Sequence, residues 1–227
     1  MKAILVGSST FGLKLSDGQN IGTKIGKHFS YSSEIVTRSA FQLNSLTLEE
    51  LNSLMSSEVA FLQVGVFEFL PKLRRRFYPT LPAQHKNKFL YAIKIDKYPY
   101  VATILNKYNR ILFNLQLVLN IGVQTNDETA LEIFCEHLLN SSKSKLHCLF
   151  LLTSPPVEHP GSENAVRKTR QILGTITDRH KNAILLDYDV LAKNLDHDKT
   201  GHLVPEDRDE FVRRVTDEIN KYKIDIQ

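Results

Sequence analysis

Two stretches at opposite ends of the chain carry side chains with chemistry to offer. Gly7-Ser8-Ser9-Thr10-Phe11-Gly12 presents hydroxyls at a turn directly after an apolar run. Asp196-His197-Asp198-Lys199-Thr200-Gly201-His202-Leu203-Val204-Pro205 presents imidazoles and carboxylates in a polar loop near the C-terminus. A serine hydroxyl is a weak nucleophile until a base takes its proton. Histidine suits that task because its ordinary pKa lies near neutrality. An aspartate beside it orients the ring and stabilises the imidazolium. Ser9 as nucleophile and His202 as base therefore form a candidate pair for acyl transfer, the second within a loop that also carries aspartates. Backbone N–H groups at the first turn could meet the developing oxyanion. Taken singly, the same residues have plainer readings: a loop histidine is a solvated side chain, and Ser8 is a turn hydroxyl, or the nucleophile if the turn is shifted by one residue. A phosphate cradle does not fit the first stretch, which has neither GxGxxG nor a closing GK[ST].

These residues need elements to position them. Five apolar runs bounded by turn or polar residues read as strands: Lys2 to Gly7, Glu34 to Arg38, Val59 to Gly65, Leu146 to Thr153 and Ala183 to Asp187. Their continuous apolar character, without alternation, predicts a parallel sheet covered on both faces. Helical patterns lie between them. Thr47-Leu48-Glu49-Glu50 opens one with a threonine cap and a glutamate three residues on. Others run from Asn126-Asp127-Glu128 to about Asn140, from Ser162 to about His180, and from Pro205 to about Lys223, with Pro205 suited to a first turn. Strands alternating with helices predict a doubly wound α/β sheet, and ligands bind such sheets beyond the carboxyl ends of the strands. Residues 74–122 exceed what a crossover needs. They are read as an inserted pair of helices over the strand ends, either as extra packing or as a lid or substrate surface.

The bulk properties narrow the classes. A chain of 227 residues with 42% hydrophobic and 24% charged residues reads as one globular domain spanning 1–227. The net charge of +4 arises largely from local runs such as Arg74-Arg75-Arg76 and is too small to imply a nucleic-acid partner. The basic stretch Lys72 to Arg76 reads as a solvated face, with an anionic substrate as the sharper alternative. No apolar stretch approaches the roughly 20 residues of a membrane span, and the N-terminal apolar run is too short for a signal peptide. A cytoplasmic protein is expected. Cys135 and Cys148 read as buried small hydrophobes, and neither has metal-site spacing, so no metal or cofactor is expected.

Over nearly its full length the chain resembles the SGNH hydrolases, the GDSL-like esterases. Gly7-Ser8-Ser9 matches the family's first block, Gly-Asp-Ser. The strand running through Phe61-Leu62-Gln63-Val64-Gly65-Val66-Phe67-Glu68 stands where the family has a strand ending in Gly-x-Asn-Asp. His202-Leu203-Val204-Pro205 matches the end of the Asp-x-x-His block and its following helix. The variant Leu-Gln-Val-Gly-Val-Phe-Glu-Phe-Leu-Pro also resembles a branch encoded with bacterial surface-polysaccharide genes. The resemblance implies a three-layer sandwich with a roughly five-stranded parallel sheet of flavodoxin-like type. It implies Ser9, His202 and Asp198 as catalytic residues, and Ser8, Arg38, Gly65 and Glu68 on the substrate side. The chain departs from the pattern in several places, and the second-block glycine has no clear counterpart in Thr37-Arg38-Ser39-Ala40-Phe41. Phe67 replaces the asparagine that donates to the oxyanion, and Asp198 lies four residues before the histidine rather than three, where Lys199 stands. Glu68 occupies the place of the family's aspartate. It reads either as a tie between the third strand and a neighbouring loop or as a pocket wall for an arginine or a sugar hydroxyl, with Arg38 a possible charge partner.

The implied function is a serine esterase or O-acyltransferase acting on a carbohydrate ester, such as a surface-polysaccharide precursor. The alternative is a binding or assembly protein on the same scaffold with a decayed catalytic apparatus. A third reading, a sugar-nucleotide transferase, is prompted by Asp187-Tyr188-Asp189, an Asp-x-Asp that could hold a divalent metal.

Overall fold

The computed structural model describes residues 2–7, 9–28, 32–37, 43, 46–65, 68–69, 72–73, 100, 123–124, 127–141, 146–152, 162–198 and 202–222. Strands β1 (Lys2–Gly7), β2 (Ser32–Thr37), β3 (Val59–Gly65), β6 (Leu146–Leu152) and β7 (Ala183–Asp187) form one sheet in the order β2-β1-β3-β6-β7. Every neighbouring pair in it is parallel. Counted along the chain, these strands stand in the doubly wound order 2-1-3-4-5. Between β3 and β6 the short strands β4 (Lys72–Leu73) and β5 (Val123–Gln124) pair antiparallel, Lys72 opposite Gln124 and Leu73 opposite Val123.

The unbroken apolar strands are explained by helices on both faces. Ala3, Leu5, Phe61 and Phe150 turn toward α1 (Ile21–His28) and α6 (Pro205–Lys221), meeting Ile21, Ile25, Phe211 and Val215. Ile4, Val6, Ala60, Leu62 and Val64 turn the other way. They meet α2 (Leu48–Ser56), α3 (Glu128–Ser141) and α4 (Ser162–Arg179) through Leu54, Leu131, Cys135, Leu138, Leu173 and Ile176. All seven residues of β3 are buried, as a central parallel strand requires. Removing a large buried side chain from such a core, Phe211 for example, typically costs about 3–5 kcal/mol.

Local signals set the helix ends. Thr47 and Glu50 form the capping box at α2, Oγ1 accepting the Glu50 N–H at 3.2 Å and the Glu50 carboxylate accepting the Thr47 N–H at 2.7 Å. Pro205 occupies the first turn of α6, with Glu206 and Asp207 beside it, where carboxylates complement the helix dipole. The second strand begins two residues earlier than its apolar run suggests, at Ser32, and is described to Thr37. Arg38 lies outside the described residues. So do 74–99 and 101–122, the bulk of the expected helical insertion.

Candidate active site

The parallel sheet brings the carboxyl ends of its strands to one edge, and the expected site residues follow those ends. Gly7 closes β1 and leads to a 3₁₀ turn, Ser9–Gly12, in which the Thr10 C=O accepts the Leu13 N–H at 3.1 Å. Ser9 therefore sits at the first position of that turn, two residues beyond the strand, and Ser8 lies outside the described residues. Gly7 is there for closeness. A Cβ on it would stand 2.5 Å from Gln63 Cβ, 2.6 Å from Gln63 Oε1 and 3.0 Å from Phe11 Cε2. The turn is thus pressed against β3 at the point where the strand order reverses, the usual ligand crevice of a doubly wound sheet.

Phe11 anchors the turn below. Its ring stacks on Phe150 of β6 with centroids 6.0 Å apart. Phe150 meets Phe211 of α6 edge-on at 6.2 Å, and Phe211 meets Tyr188 at 5.2 Å. Tyr188 opens the one-turn helix α5 (Tyr188–Leu191) after β7 and reaches His197, the two rings 6.0 Å apart and its hydroxyl hydrogen-bonded to Nε2 at 3.0 Å. Burial, with the Asp189 carboxylate nearby, pushes the Tyr188 phenol well above its ordinary range. It stays a neutral partner. A continuous aromatic path thus runs from the Ser9 turn to the loop that carries the histidines.

That loop is a small hairpin. His197 bridges Leu203 antiparallel, Asp198 N–H donates to His202 C=O at 2.8 Å, and Val204 N–H donates to Asp196 C=O at 3.0 Å. Asp196 N–H in turn donates to the Asp207 carboxylate at 2.5 Å. Asp198 Oδ1 accepts the backbone N–H of His202 at 3.1 Å, so the four-residue spacing is used to close the turn. Carboxylate oxygens have further lone pairs beyond that bond. His202 is half buried at the top of the hairpin while Leu203 beneath it is fully buried in the core.

Gly65 closes β3. Glu68, three residues on, is only 4% exposed, and its Oε1 accepts the Leu43 N–H at 2.5 Å. The partner seen for it is therefore a backbone amide of the segment after β2, whereas Arg38, the charge partner considered from the sequence, lies outside the described residues. A cavity of about 350 Å³ opens beside this contact, walled by Leu43, Leu46, Leu51, Leu131 and Phe134 together with Glu68. Cys135 lies on the same face; burial first, then the Glu68 and Glu136 carboxylates, push its thiol up to about 12, which leaves it an unreactive core residue.

Asp187 and Asp189, the residues of the Asp-x-Asp, are both held by Arg170 of α4. Nε donates to Asp187 Oδ2 at 2.7 Å, and Nη2 donates to Asp187 Oδ1 at 3.1 Å and to Asp189 Oδ2 at 2.8 Å. Asp187 also accepts the Asp189 N–H, capping α5. These carboxylates work as an ion-paired strand end, and no cluster of three or more metal-ligating side chains occurs among the described residues. The structural use of Arg170 is not visible in the sequence, because its partners stand 17 and 19 residues away. Arg208 was equally hidden. Its guanidinium joins the two loops, donating to Leu203 C=O at 2.9 Å and to Lys14 C=O at 2.7 Å. The one signal available was a single basic residue within Glu206-Asp207-Arg208-Asp209-Glu210.

No family model matches the chain, and no curated protein matches it by sequence. Solved structures do match by shape. TesA superposes with a TM-score of 0.52 at 12% identity, covering 98% of this chain and 99% of that one. A putative platelet activating factor from Streptococcus pneumonia gives 0.53 at 12%, covering 96% and 83%. A carbohydrate esterase family 2 enzyme with a carbohydrate binding domain, from Corynascus thermopiles (Myceliophthora fergusii), gives 0.54 at 10%, covering 98% and 66%. At these identities the likeness concerns the fold alone: this chain shares its α/β fold with TesA and with that family 2 carbohydrate esterase.

Proposed function

We propose that the protein is an SGNH-type serine esterase whose substrate is a carbohydrate ester. What supports this reading is that Arg208 bonds both Lys14, in the segment after the Ser9 turn, and Leu203, next to His202, and that an aromatic path links Phe11 to His197, on a fold shared with a family 2 carbohydrate esterase. In the proposed reaction Ser9 Oγ attacks the ester carbonyl carbon as His202 takes its proton. The tetrahedral intermediate then collapses, with His202 returning the proton to the departing sugar oxygen. Water, or a sugar hydroxyl in an acyltransferase, resolves the acyl-serine by the reverse sequence. Asp198, already bonded to the His202 backbone, orients the imidazole with its remaining lone pairs. The apolar cavity beside Glu68 suits an acyl group, and Ser8, Arg38 and Gly65 border the substrate in this reading. A bacterial surface-polysaccharide precursor is the proposed natural substrate.

Labelling by a fluorophosphonate probe and turnover of p-nitrophenyl acetate and of acetylated sugars test the proposal. Ser9→Ala is expected to abolish labelling and to lower kcat by at least about 10³-fold, with His202→Ala losing a comparable amount. Absence of labelling at Ser9 together with unchanged turnover in Ser9→Ala would end it. A second reading, a carbohydrate-binding or assembly protein with a decayed site, draws on Phe67 in place of the oxyanion asparagine and on the use of Asp198 to close its own turn. It requires sugar binding that survives both substitutions.

A further inference from the structure

We propose that Arg208 is a positioning residue for the Ser9–His202 pair, holding the histidine-bearing hairpin against the serine-bearing turn; the inference rests on the esterase reading above. Leu203, whose carbonyl accepts Nε at 2.9 Å, directly follows His202. Lys14, whose carbonyl accepts Nη1 at 2.7 Å, stands five residues after Ser9. One planar group thus spans two backbone segments separated by nearly the whole chain.

The place of Arg208 in its helix supports the assignment. The N-terminal turns of α6 carry Glu206, Asp207, Asp209 and Glu210, as the positive end of the helix dipole favours. A cation there stands against the helix field among these carboxylates, and its guanidinium is turned to the two backbone carbonyls. Asp209 next to it also grips the first loop, accepting Ser16 Oγ–H at 2.6 Å and Ser16 N–H at 3.3 Å, with no bond to the hairpin among the described residues. The two neighbours therefore separate attachment of the 14–20 segment, which both supply, from registration of the two turns, which falls to Arg208. Registration matters because a misplacement of about 1 Å between reacting groups can cost about 10²-fold in rate. Lysine, a point charge without the rigid fork, can satisfy one carbonyl but holds the pair less firmly.

The test compares full-length wild type, Arg208→Ala, Arg208→Lys and Asp209→Asn, with p-nitrophenyl acetate as substrate and thermal unfolding measured in parallel. Arg208→Ala is expected to lower kcat by about 30-fold or more while KM changes by less than about 3-fold, a loss confined to the reacting geometry. Arg208→Lys should recover part of it. Guanidinium at low millimolar concentration should restore activity to Arg208→Ala and none to Ser9→Ala. Asp209→Asn should stay within about 3-fold of wild type. Should Arg208→Ala fail to fold, a lowered kcat in Arg208→Lys at unchanged Tm carries the same meaning. Wild-type kcat in a folded Arg208→Ala, or equal losses in the Arg208 and Asp209 variants, overturns the inference and leaves the esterase reading standing. Wild-type protein without Ser9-dependent turnover overturns that reading instead.

Discussion

Two residues beyond Gly65 stands Phe67, where an SGNH esterase has the asparagine that donates to the oxyanion. A phenyl ring has no donor to give. Loss of one oxyanion donor typically costs about 10²–10³ in rate, so the proposed esterase would lean on backbone N–H groups at this point. Phe67→Asn is therefore expected to raise kcat by about 10-fold or more with KM little changed, measured on p-nitrophenyl acetate. A kcat within two-fold of wild type, on the order of experimental scatter, would place position 67 away from the reacting oxygen. Glu68 beside it shows how far one residue can be read from sequence. Its carboxylate could be foreseen as a tie to a neighbouring loop, and it accepts the Leu43 amide; it also lines the adjoining cavity, whose occupant belongs to the proposal. Leu43 could not be foreseen, because the partner is a backbone group and any residue but proline would supply it.

At the scale of elements, the strands ending at Gly7, Gly65 and Asp187 and the capped helix after Thr47 were legible because their signals are local: apolar runs of strand length and a Thr-x-x-Glu box. The Asp198–His202 turn was not, since its closure depends on pairings between His197 and Leu203 and between Val204 and Asp196 that no periodicity announces. Ion pairs between helices are hidden for the same reason. Glu136 of α3 meets His180 Nε2 at 2.7 Å, just past the end of α4, and Arg179 Nη1 at 3.4 Å, while Glu132 takes a second bond from Arg179 at 2.9 Å. The hydrogen bond from His180, then Arg179, holds the Glu136 carboxyl below its ordinary range. A carboxyl whose pKa is lower folded than unfolded stabilises the fold above about pH 4.3, the unfolded value, and loses that contribution as pH falls through the folded one. Glu136→Gln should consequently lower Tm at pH 7, and the gap to wild type should close as the pH falls below the unfolded value and through the folded one, in thermal melts across a pH series. Because Arg179 is exposed and Glu136 partly so, about 0.5 M salt should also narrow it. A gap that persists unchanged at acid pH would show that the substitution acts through packing.

For the molecule as a whole, the decisive arrangement is that the five described strands of the parallel sheet all lie outside residues 74–122. β4 and β5 place Leu73 opposite Val123, so the chain leaves and returns at one paired position. A two-residue Asn-Gly turn fits between strands in that register. Replacing 74–122 by Asn-Gly is expected to give a protein that unfolds in one cooperative transition, with Tm shifted by no more than about 5 °C, on the order of 1–2 kcal/mol for a domain of this size. A broad, non-cooperative melt would mean that the segment belongs to the core. Turnover of small and large esters by the shortened protein would then report whether the segment screens the site, as its length suggests. Among the described residues no helix is long and apolar enough to cross a membrane.

The two-residue pairing of β4 with β5 also bears on how such a protein changes over generations. Closing a loop costs free energy that grows only with the logarithm of its length, about 0.6 kcal/mol for each doubling. A segment entering and leaving through a single paired doorway can be lengthened, exchanged or rewritten as one contiguous stretch of coding sequence. The sheet, the aromatic path and the Arg208 bridge would be inherited intact, and substrate range could drift while the chemistry held still.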